Sequence, residues 1–451
     1  MSAADLLQWE RTIAPPIHPP YLAPMSLHIG IVPAWVPCLL LAAPALCRTA
    51  PEPTGPVPAA LQQPEVADLK PLFCWATPVP DEYANNKSGY TACVAGPDGK
   101  VYLGTANYYD YGDWLAYDPR DRSIERVVNL SQTIAENLYD INTQGKTHTQ
   151  LAIGPDGRIY GGTKQGHELF ATRPEIGEQA GGYPGGHLIA YDPRTGLAQD
   201  LGILRAQDGL MNGIVDHERR RIYFKTEPRM HFLIYELDTH QVIDKGRVGT
   251  WSRYIDMDDR GDVWIPNRGR MTRYDVERDE LVEYKVRVPA GAPPYEKPYA
   301  CVIGGGGSKL GADFNRRGMK LYGGDLRQIQ EFDLASAASG VVPMRYVCNS
   351  VPEPFAESSD IHTMIQDAKG RIYWTADVGQ NPKQTLIMRY DPHRGQGECL
   401  GYVVDAEFAE HRDLHNGLGS IQGSAIGPDG TLYIMATYPY YILEFPRLTA
   451  D

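Results

Sequence analysis

Residues 146–170 read KTHTQLAIGPDGRIYGGTKQGHELF, and residues 185–193 read GGHLIAYDP. Two short runs with alternating apolar residues stand on either side of the turn at 154–157, whose sequence is Gly-Pro-Asp-Gly. A third run, HLIAYD, ends at a further turn that begins with Pro193. Runs this short, bounded by Pro, Asp and Gly, are typical of β-strands joined by tight turns. The stretch therefore predicts a small antiparallel sheet.

The same phrase recurs along the chain at a spacing of about 50 residues, which is near the length of one propeller blade. Its turns contain Gly99, Gly157, Arg220, Gly261, Gly318, Gly370 and Gly430. Each turn is followed by an aromatic residue, namely Tyr102, Tyr160, Tyr223, Trp264, Tyr322, Tyr373 and Tyr433. We expect these rings to pack between adjacent sheets. Seven such units predict an all-β fold, a seven-bladed β-propeller.

The seventh unit ends after its third strand, so its outer strand has to come from elsewhere in the chain. Residues 69–79, LKPLFCWATPV, precede the first unit and are free to supply it. Closure of the last blade by this N-terminal strand would protect an open sheet edge. The predicted propeller domain therefore covers residues 69–451.

The first 50 residues resemble a leader. An apolar stretch at about 29–46 is followed by small residues, which is typical of a signal peptide. Translation starting at Met25 rather than Met1 fits this interpretation, and a short anchor or a tail is the alternative. Residues 51–68 are rich in Pro and are predicted to be a linker. The expected location is secreted, periplasmic or at the cell surface, with no membrane contact apart from the leader.

The formal net charge of −13 argues against a nucleic-acid partner, because neutralising phosphates needs clustered Lys and Arg. A local basic pocket on an acidic protein still permits an acidic glycan as partner. Two of the seven cysteines, Cys38 and Cys47, lie in the leader. The other five are widely spaced, which fits neither a metal cluster nor a disulfide scaffold, although one or two bridges can form.

In a propeller, the start of each inner strand and the end of the second strand lie on the same face, because the two strands are antiparallel neighbours. Counting back from each aromatic residue locates those positions, and they are rich in His, Arg, Tyr and Lys. The candidate catalytic residues are His148, His167, Arg229 and Tyr254, and the candidate substrate-binding residues are Tyr90, Arg253, Arg268, Lys309 and His362. Such a cluster could hold a carboxylate and act on a proton beside it. The alternative is that these residues are polar only because the rim of a propeller is exposed to solvent.

Three other patterns are weaker. The run of glycines at 304–307 has no phosphate-loop spacing. The aspartates of the turns are expected to cap the backbone rather than to bind calcium. A divalent metal near the axis, held by His148, His362 and Gln422, remains an alternative to a site without any cofactor.

The run Lys146-Thr147-His148, followed by GPDGRIYGGT and GGHLIAYDP, resembles the secreted propeller polysaccharide lyases, which include ulvan lyases, rhamnosyl-glucuronate lyases and their rhamnosidase-like relatives. The resemblance implies that His148 and His167, 19 residues apart, flank the cleaved bond. It also implies that Arg229 matches the arginine of the family site. The family has a Tyr at the start of the next inner strand, whereas residues 211–213 are Met-Asn-Gly. The resemblance implies that Tyr254, one blade further on, matches an additional aromatic residue of the family site.

The resulting expectation is a lyase that cleaves uronate-containing polysaccharides or oligosaccharides by β-elimination. Arg229 would neutralise the carboxylate, His148 or His167 would be the base, and the other His or Tyr254 would be the acid. Two alternatives stay open at the level of sequence. One is a non-catalytic propeller that binds a glycan or a protein on the same rim. The other is a metal-dependent hydrolase or lyase.

Overall fold

A computed structural model describes residues 52–57, 68–83, 88–108, 110–136, 143–166, 182–249, 254–267, 269–292, 300–303, 318–337, 340–355, 358, 361, 363–379, 384–407, 421–437 and 440–450. The chain divides into two units, Met1–Thr49 and Ala50–Asp451, and the first unit lies outside the described residues. Within the described part, no helix is both long enough and apolar enough to cross a membrane.

The second unit is built from four-stranded antiparallel blades, and the prediction of a propeller is confirmed. Blade 1 consists of β2 (Ser88–Ala95), β3 (Val101–Ala106), β4 (Asp113–Asp118) and β5 (Ser123–Asn129). Blade 2 consists of β7 (Ala152–Ile153), β8 (Ile159–Lys164), β9 (His187–Asp192) and β10 (Leu197–Ile203). Blade 3 consists of β11 (Gly209–Asp216), β12 (Arg221–Glu227), β13 (His231–Glu236) and β14 (Val242–Arg247). A short helix at Leu130–Ile134 follows blade 1, and a 3-10 turn at Asp81–Tyr83 precedes it.

The remaining blades repeat the arrangement. Blade 4 consists of β15 (Asp256–Met257), β16 (Val263–Asn267), β17 (Arg270–Asp275) and β18 (Glu280–Arg287), and blade 5 of β19 (Ala300–Ile303), β20 (Lys320–Gly324), β21 (Gln328–Asp333) and β22 (Val341–Asn349). Blade 6 consists of β23 (Met364–Gln366), β24 (Ile372–Val378), β25 (Gln384–Asp391) and β26 (Gln396–Asp405). Blade 7 contains β27 (Ile421–Ile426), β28 (Leu432–Thr437) and β29 (Tyr440–Phe445).

Strand β1 (Pro71–Pro78) supplies the missing outer strand of blade 7, as the sequence predicts. Its second half pairs antiparallel with β29, where Trp75 lies opposite Glu444. Its first half pairs parallel with β26, the outer strand of blade 6. One strand therefore completes the last blade and also joins it to the preceding one, so that the end of the propeller is tied to its beginning.

In five of the blades, a turn aspartate holds the turn and the aromatic ring that follows it. In blade 2, Asp156 accepts a hydrogen bond from the Arg158 N–H at 3.1 Å and one from the Tyr160 hydroxyl at 2.8 Å. Equivalent bonds join a turn aspartate to a ring donor in four further blades, as the pairs Asp98–Tyr102, Asp216–Tyr223, Asp258–Trp264 and Asp367–Tyr373. A bond to a charged acceptor contributes about 1.5–3 kcal/mol. These carboxylates are therefore engaged as caps, as expected from the sequence.

The two glycines of the turn have different roles. A Cβ atom on Gly154 would lie 2.4 Å from a ring carbon of Tyr160. The Tyr160 ring can therefore pack against residue 154 only if that residue is glycine. Gly157 has a φ of +80°, a left-handed conformation that favours glycine. Arg220 takes the same position in blade 3 with a φ of +52°.

Four of the seven rings after the turns contact an aromatic residue of the next blade, and for these rings the predicted packing between sheets is confirmed. Tyr102 of blade 1 lies 5.8 Å from Tyr191 of blade 2, measured between ring centroids. In three further pairs, a ring on the second strand of one blade contacts a ring on the third strand of the next blade. These pairs are Tyr223–Tyr274, Tyr322–Tyr390 and Tyr433–Tyr117. The last pair joins blade 7 to blade 1. Aromatic contacts of this kind contribute about 0.5–1.5 kcal/mol each beyond the area that they bury.

One strand lies elsewhere than the turn spacing predicts. Counting back from Tyr322 puts the inner strand of blade 5 at about residue 309, whereas the strand that pairs with β20 is β19, with Val302 opposite Tyr322. The prediction was wrong because the connection between these two strands, residues 304–317, is much longer than a tight turn. Lys309 falls in this connection, outside the described residues.

Replacing the first glycine of the turn tests the contact with the ring. We expect Gly154→Ala to lower the free energy of unfolding by about 1–3 kcal/mol, because the methyl group overlaps Tyr160. Gly427→Ala is the matched control, since its Cβ would lie 3.2 Å from the ring of Tyr433 and a small shift relieves the contact. Urea unfolding of both variants measures the difference. Equal losses in the two variants would contradict this account of the motif.

Candidate functional site

A two-residue strand, β6 (Lys146–Thr147), bridges blades 1 and 2 and carries the centre of the site. Lys146 pairs with Ala106 at the end of β3 and with Lys164 at the end of β8. Gly145 permits this close approach, because a Cβ atom there would lie 2.1 Å from the backbone oxygen of Asn107. The indole of Trp114 donates to the Thr147 hydroxyl at 2.8 Å, which anchors β6 in the core of blade 1. The ends of blades 1 and 2 therefore fix the backbone that leads into His148.

His148 is held between three blades and is 3% exposed. Its ring stacks on Tyr90 with a centroid distance of 4.7 Å and an interplanar angle of 21°. Its backbone oxygen accepts a bond of 2.5 Å from the Thr91 hydroxyl. Its Nδ1 lies 3.2 Å from the backbone oxygen of Met211 on β11. A carbonyl oxygen can only accept, so Nδ1 donates in this contact, and in the neutral form of the ring the lone pair is on Nε2.

Lys146 lies over a pair of tyrosines beside His148. Its Nζ is 5.0 Å from the ring centroid of Tyr90 and 4.3 Å from that of Tyr108. The two phenol oxygens are 2.5 Å apart. Lys146 is fully buried, whereas Tyr108 is half-buried and is the more accessible of the pair. A buried positive charge next to these rings favours negative charge on a phenol oxygen or on a ligand bound against it.

A buried ion pair joins the same end of blades 2 and 3. Lys164 at the end of β8 is bonded through Nζ to the Glu227 carboxylate at the end of β12. Both side chains are at least nine-tenths buried. A Cβ on Gly209 would lie 2.7 Å from the Lys164 side chain, so the glycine makes room for the lysine stem. The pair therefore sets the distance between the inner ends of the two blades.

Arg229 follows β12 at the end of blade 3 that carries Gly209 and Met211, because Gly209 lies opposite Glu227 in the sheet. Its guanidinium donates to the Gln207 side-chain oxygen at 2.8 Å and lies 3.8 Å from the Asp208 carboxylate. Asp208 is fully buried, and burial raises the pKa of its carboxyl. The Arg229 side chain remains 38% exposed, so it is accessible to an anion.

The structure brings only part of the predicted site together. His148 and Tyr90 are in direct contact, and Arg229 lies at the adjoining end of blade 3. Tyr254 is 3% exposed and packs in the hydrophobic core with Trp264. The other candidates lie outside the described residues; they are His167, Arg253, Arg268, Lys309 and His362. The roles of all these residues stay predictions.

Four residues of the cluster were not among the named catalytic or substrate-binding candidates, although the rim positions counted from the sequence include Tyr108 and Lys164. Lys146 lies two residues before His148 and Lys164 lies three residues before His167, so both lysines could have been predicted from their proximity to the candidate histidines. Tyr108 follows the end of β3 and was visible only as a rim aromatic. Glu227 gave no signal, because its role depends on the approach of β8 to β12.

No group of three or more His, Cys, Asp or Glu side chains that could hold a metal ion occurs among the described residues. His362, one of the three residues considered for a metal near the axis, lies outside them, as does the glycine run at 304–307. The proposal of an axial metal is therefore untested.

Comparison with known proteins establishes the fold. No protein-family model and no curated protein matches the chain. Among solved structures, a streptogramin B lyase structure is 14% identical, with a TM-score of 0.51, and the match covers 82% of this chain and 96% of that one. The structure of U3-55K is 7% identical, with a TM-score of 0.50 and coverages of 82% and 98%. The WD40 repeats of RRP9 are 8% identical, with a TM-score of 0.50 and coverages of 85% and 98%.

The likeness to WD40 repeats is as strong as the likeness to a lyase. At these identities the comparisons therefore support a β-propeller of repeated blades and leave open whether the chain is an enzyme.

The ion pair between blades 2 and 3 can be tested by removing one charge. Glu227→Gln leaves the buried Lys164 ammonium without its counter-charge, and we expect a loss of about 3–5 kcal/mol in the free energy of unfolding. The double variant Lys164→Met, Glu227→Leu removes both charges and should lie much closer to the parent protein. Urea unfolding compares the two. A Glu227→Gln variant as stable as the parent would show that the pair does not hold the blades together.

Proposed function

We propose that the protein is a lyase that cleaves uronate-containing polysaccharides or oligosaccharides by β-elimination at the inner rim of blades 1 to 3. The observation that carries the proposal is the placement of His148. Its Nδ1 is oriented by the Met211 oxygen and its ring by Tyr90, while Lys146 and two tyrosines stand beside it. An oriented base next to a potential acid is what proton abstraction beside a carboxylate requires.

In the proposed reaction, the Nε2 of His148 removes the proton on the carbon that bears the uronate carboxylate. The electron pair forms a carbon–carbon double bond as the bond to the glycosidic oxygen at the adjacent ring carbon breaks. The leaving oxygen takes a proton from Tyr108, which shares a hydrogen bond with Tyr90. The products are an unsaturated uronate at one new end and a hydroxyl group at the other.

Negative charge builds up on the carboxylate as its neighbouring proton leaves, and two positive groups would stabilise it. Arg229 is accessible and would bind the carboxylate directly. Lys146 is fully buried, so it would act through its field beneath Tyr90 and Tyr108. Such fixed charges in a poorly solvated site stabilise a developing anion more than they would in water.

The proposal needs no cofactor, and His167 would be a second acid or base, as the resemblance to the propeller lyases implies. The proposed partner is an acidic glycan rather than a nucleic acid, and the proposed location is secreted, periplasmic or at the cell surface. These features rest on the sequence. The similarity to the streptogramin B lyase structure extends to the fold alone, so the proposal depends on the side chains of the rim.

The reaction can be followed by the ultraviolet absorbance of the unsaturated uronate, using a panel of uronate-containing glycans. We expect His148→Gln and Tyr108→Phe each to lower kcat by about 10²–10⁴-fold, because each removes one proton-transfer group. His393→Gln is the control, since His393 is exposed at the turn between β25 and β26.

Full activity in His148→Gln would refute the assignment of the base. A glycan that binds without any absorbance change would favour a non-catalytic binding propeller. Release of reducing ends without absorbance would indicate hydrolysis, and loss of that activity on chelation would indicate a metal.

A further inference from the structure

His187, at the start of β9, lies between two carboxylates that come from different parts of the chain. Its Nδ1 is 2.9 Å from each oxygen of Asp200 on β10, and its Nε2 is 2.6 Å from Glu136, which follows the short helix after blade 1. The ring is 5% exposed. Carboxylates accept hydrogen bonds on both ring nitrogens only if both nitrogens carry protons, so this geometry suits the imidazolium form.

Blade 3 contains the same histidine and aspartate with a different partner at the second ring nitrogen. His231, at the start of β13, has its Nδ1 2.8 Å from Asp244, and each aspartate accepts a bond from a glycine two residues on. At Nε2 the carboxylate is replaced by the Arg205 guanidinium, at 3.2 Å. A guanidinium can only donate, so the Nε2 of His231 accepts in this contact, whereas the Nε2 of His187 donates to a carboxylate. The two otherwise equivalent histidines therefore differ in the role of Nε2.

The carboxylate of Glu136 connects His187 to the strand that carries the candidate site. Its second oxygen accepts from the Gln144 side chain at 3.2 Å. Gln144 is fully buried, and its oxygen accepts from Thr163 at 2.8 Å and from Tyr183 at 2.7 Å. Gln144 precedes Lys146 by two residues and His148 by four. The path from His187 to the site is thus two hydrogen bonds and a few residues of backbone.

We propose that His187 is a proton-dependent positioning residue: its imidazolium form holds Glu136 and Gln144, and through them the segment that presents Lys146 and His148. The expected effect on activity rests on the proposed function, whereas the expected effect on the structure around His148 does not. Loss of the proton removes one of the two charge-assisted bonds and leaves a carboxylate facing an uncharged ring. The link from Gln144 through Glu136 to His187 is then weakened, whereas the bond between Gln144 and Thr163 remains.

The direction of the pH effect follows from the charges around the ring. Burial alone would lower the pKa of His187, but the bond and charge of Asp200 and the charge of Glu136 outweigh it and raise the pKa above 6.5. These two are the charged groups that the described residues bring against the ring. Since the folded value exceeds the unfolded one, the stabilisation is complete below about pH 6.5 and is lost as the pH rises through the folded value.

The test is a pH titration of the full chain by NMR, with isotope-labelled histidine rings and no ligand. The chain has 12 histidines, so the ring signal of His187 is identified by its absence in His187→Gln and that of His148 by its absence in His148→Gln. We expect the His187 signal to titrate above pH 6.5 and the His148 signal to shift with the same midpoint. In Glu136→Gln, which retains His187, both midpoints should move to lower pH.

Thermal unfolding between pH 5 and 9 gives a second readout. The parent protein and the matched control His231→Gln should lose a few degrees of melting temperature across the His187 midpoint, and His187→Gln should lack that step. A midpoint at or below 6.5, or a His148 signal that ignores the His187 titration, would overturn the inference.

Activity separates this inference from the proposed function. If the lyase reaction is observed, kcat should decline above the His187 midpoint in the parent and in His231→Gln, and the midpoint of that decline should move in Glu136→Gln. If no reaction is observed but the two histidine signals titrate together, the proposed function fails and the positioning role stands. If the reaction is observed and its pH profile is the same in Glu136→Gln, the positioning role fails and the function stands.

Discussion

The hydrogen bond between a turn aspartate and the aromatic ring that follows it is the interaction on which this propeller depends. In blade 2 it joins Asp156 to Tyr160 across four residues, so it forms within a single hairpin. In blade 6, burial and the Asp367 carboxylate raise the pKa of Tyr373 to about 12, which keeps the phenol protonated and a donor at any physiological pH. Because the bond fixes the ring, the ring can serve as a fixed surface for the next blade.

The contacts between blades convert these local units into one closed structure. Four rings from second strands meet an aromatic residue on the third strand of the next blade, and one of these pairs, Tyr433–Tyr117, joins blade 7 to blade 1. At the same junction the Tyr117 hydroxyl donates to the buried Glu444 at 2.7 Å. Strand β1 covers the outer edge beside it, with Trp75 opposite Glu444. Closure therefore uses the ordinary contact between blades, completed by a strand from the other end of the domain.

The sequence predicts the features that are local and repeated. The Gly-Pro-Asp-Gly turns, the rings after them and the free strand before blade 1 are each visible within a dozen residues, and the structure confirms them. The inner strand of blade 5 was misplaced because the rule assumed a tight turn where the chain has residues 304–317. The candidate site was predictable only in part. His148 was found from its motif. Its contacts with Tyr90 and Met211 span 58 and 63 residues of sequence, and they can be identified only once the arrangement of the blades is known. Glu227 takes its role from Lys164 on blade 2 and His187 takes part of its role from Glu136, 51 residues earlier in the chain, so no local pattern contains that information.

A crystal structure of the His148→Gln variant soaked with a uronate oligosaccharide would show whether the inner rim of blades 1 to 3 binds a uronate, as we propose. We expect electron density for a sugar ring against Tyr108, with its carboxylate within hydrogen-bonding distance of Arg229. A sugar bound at the opposite face or at the rim of other blades, with the Tyr108 and Arg229 region unoccupied, would contradict the proposal.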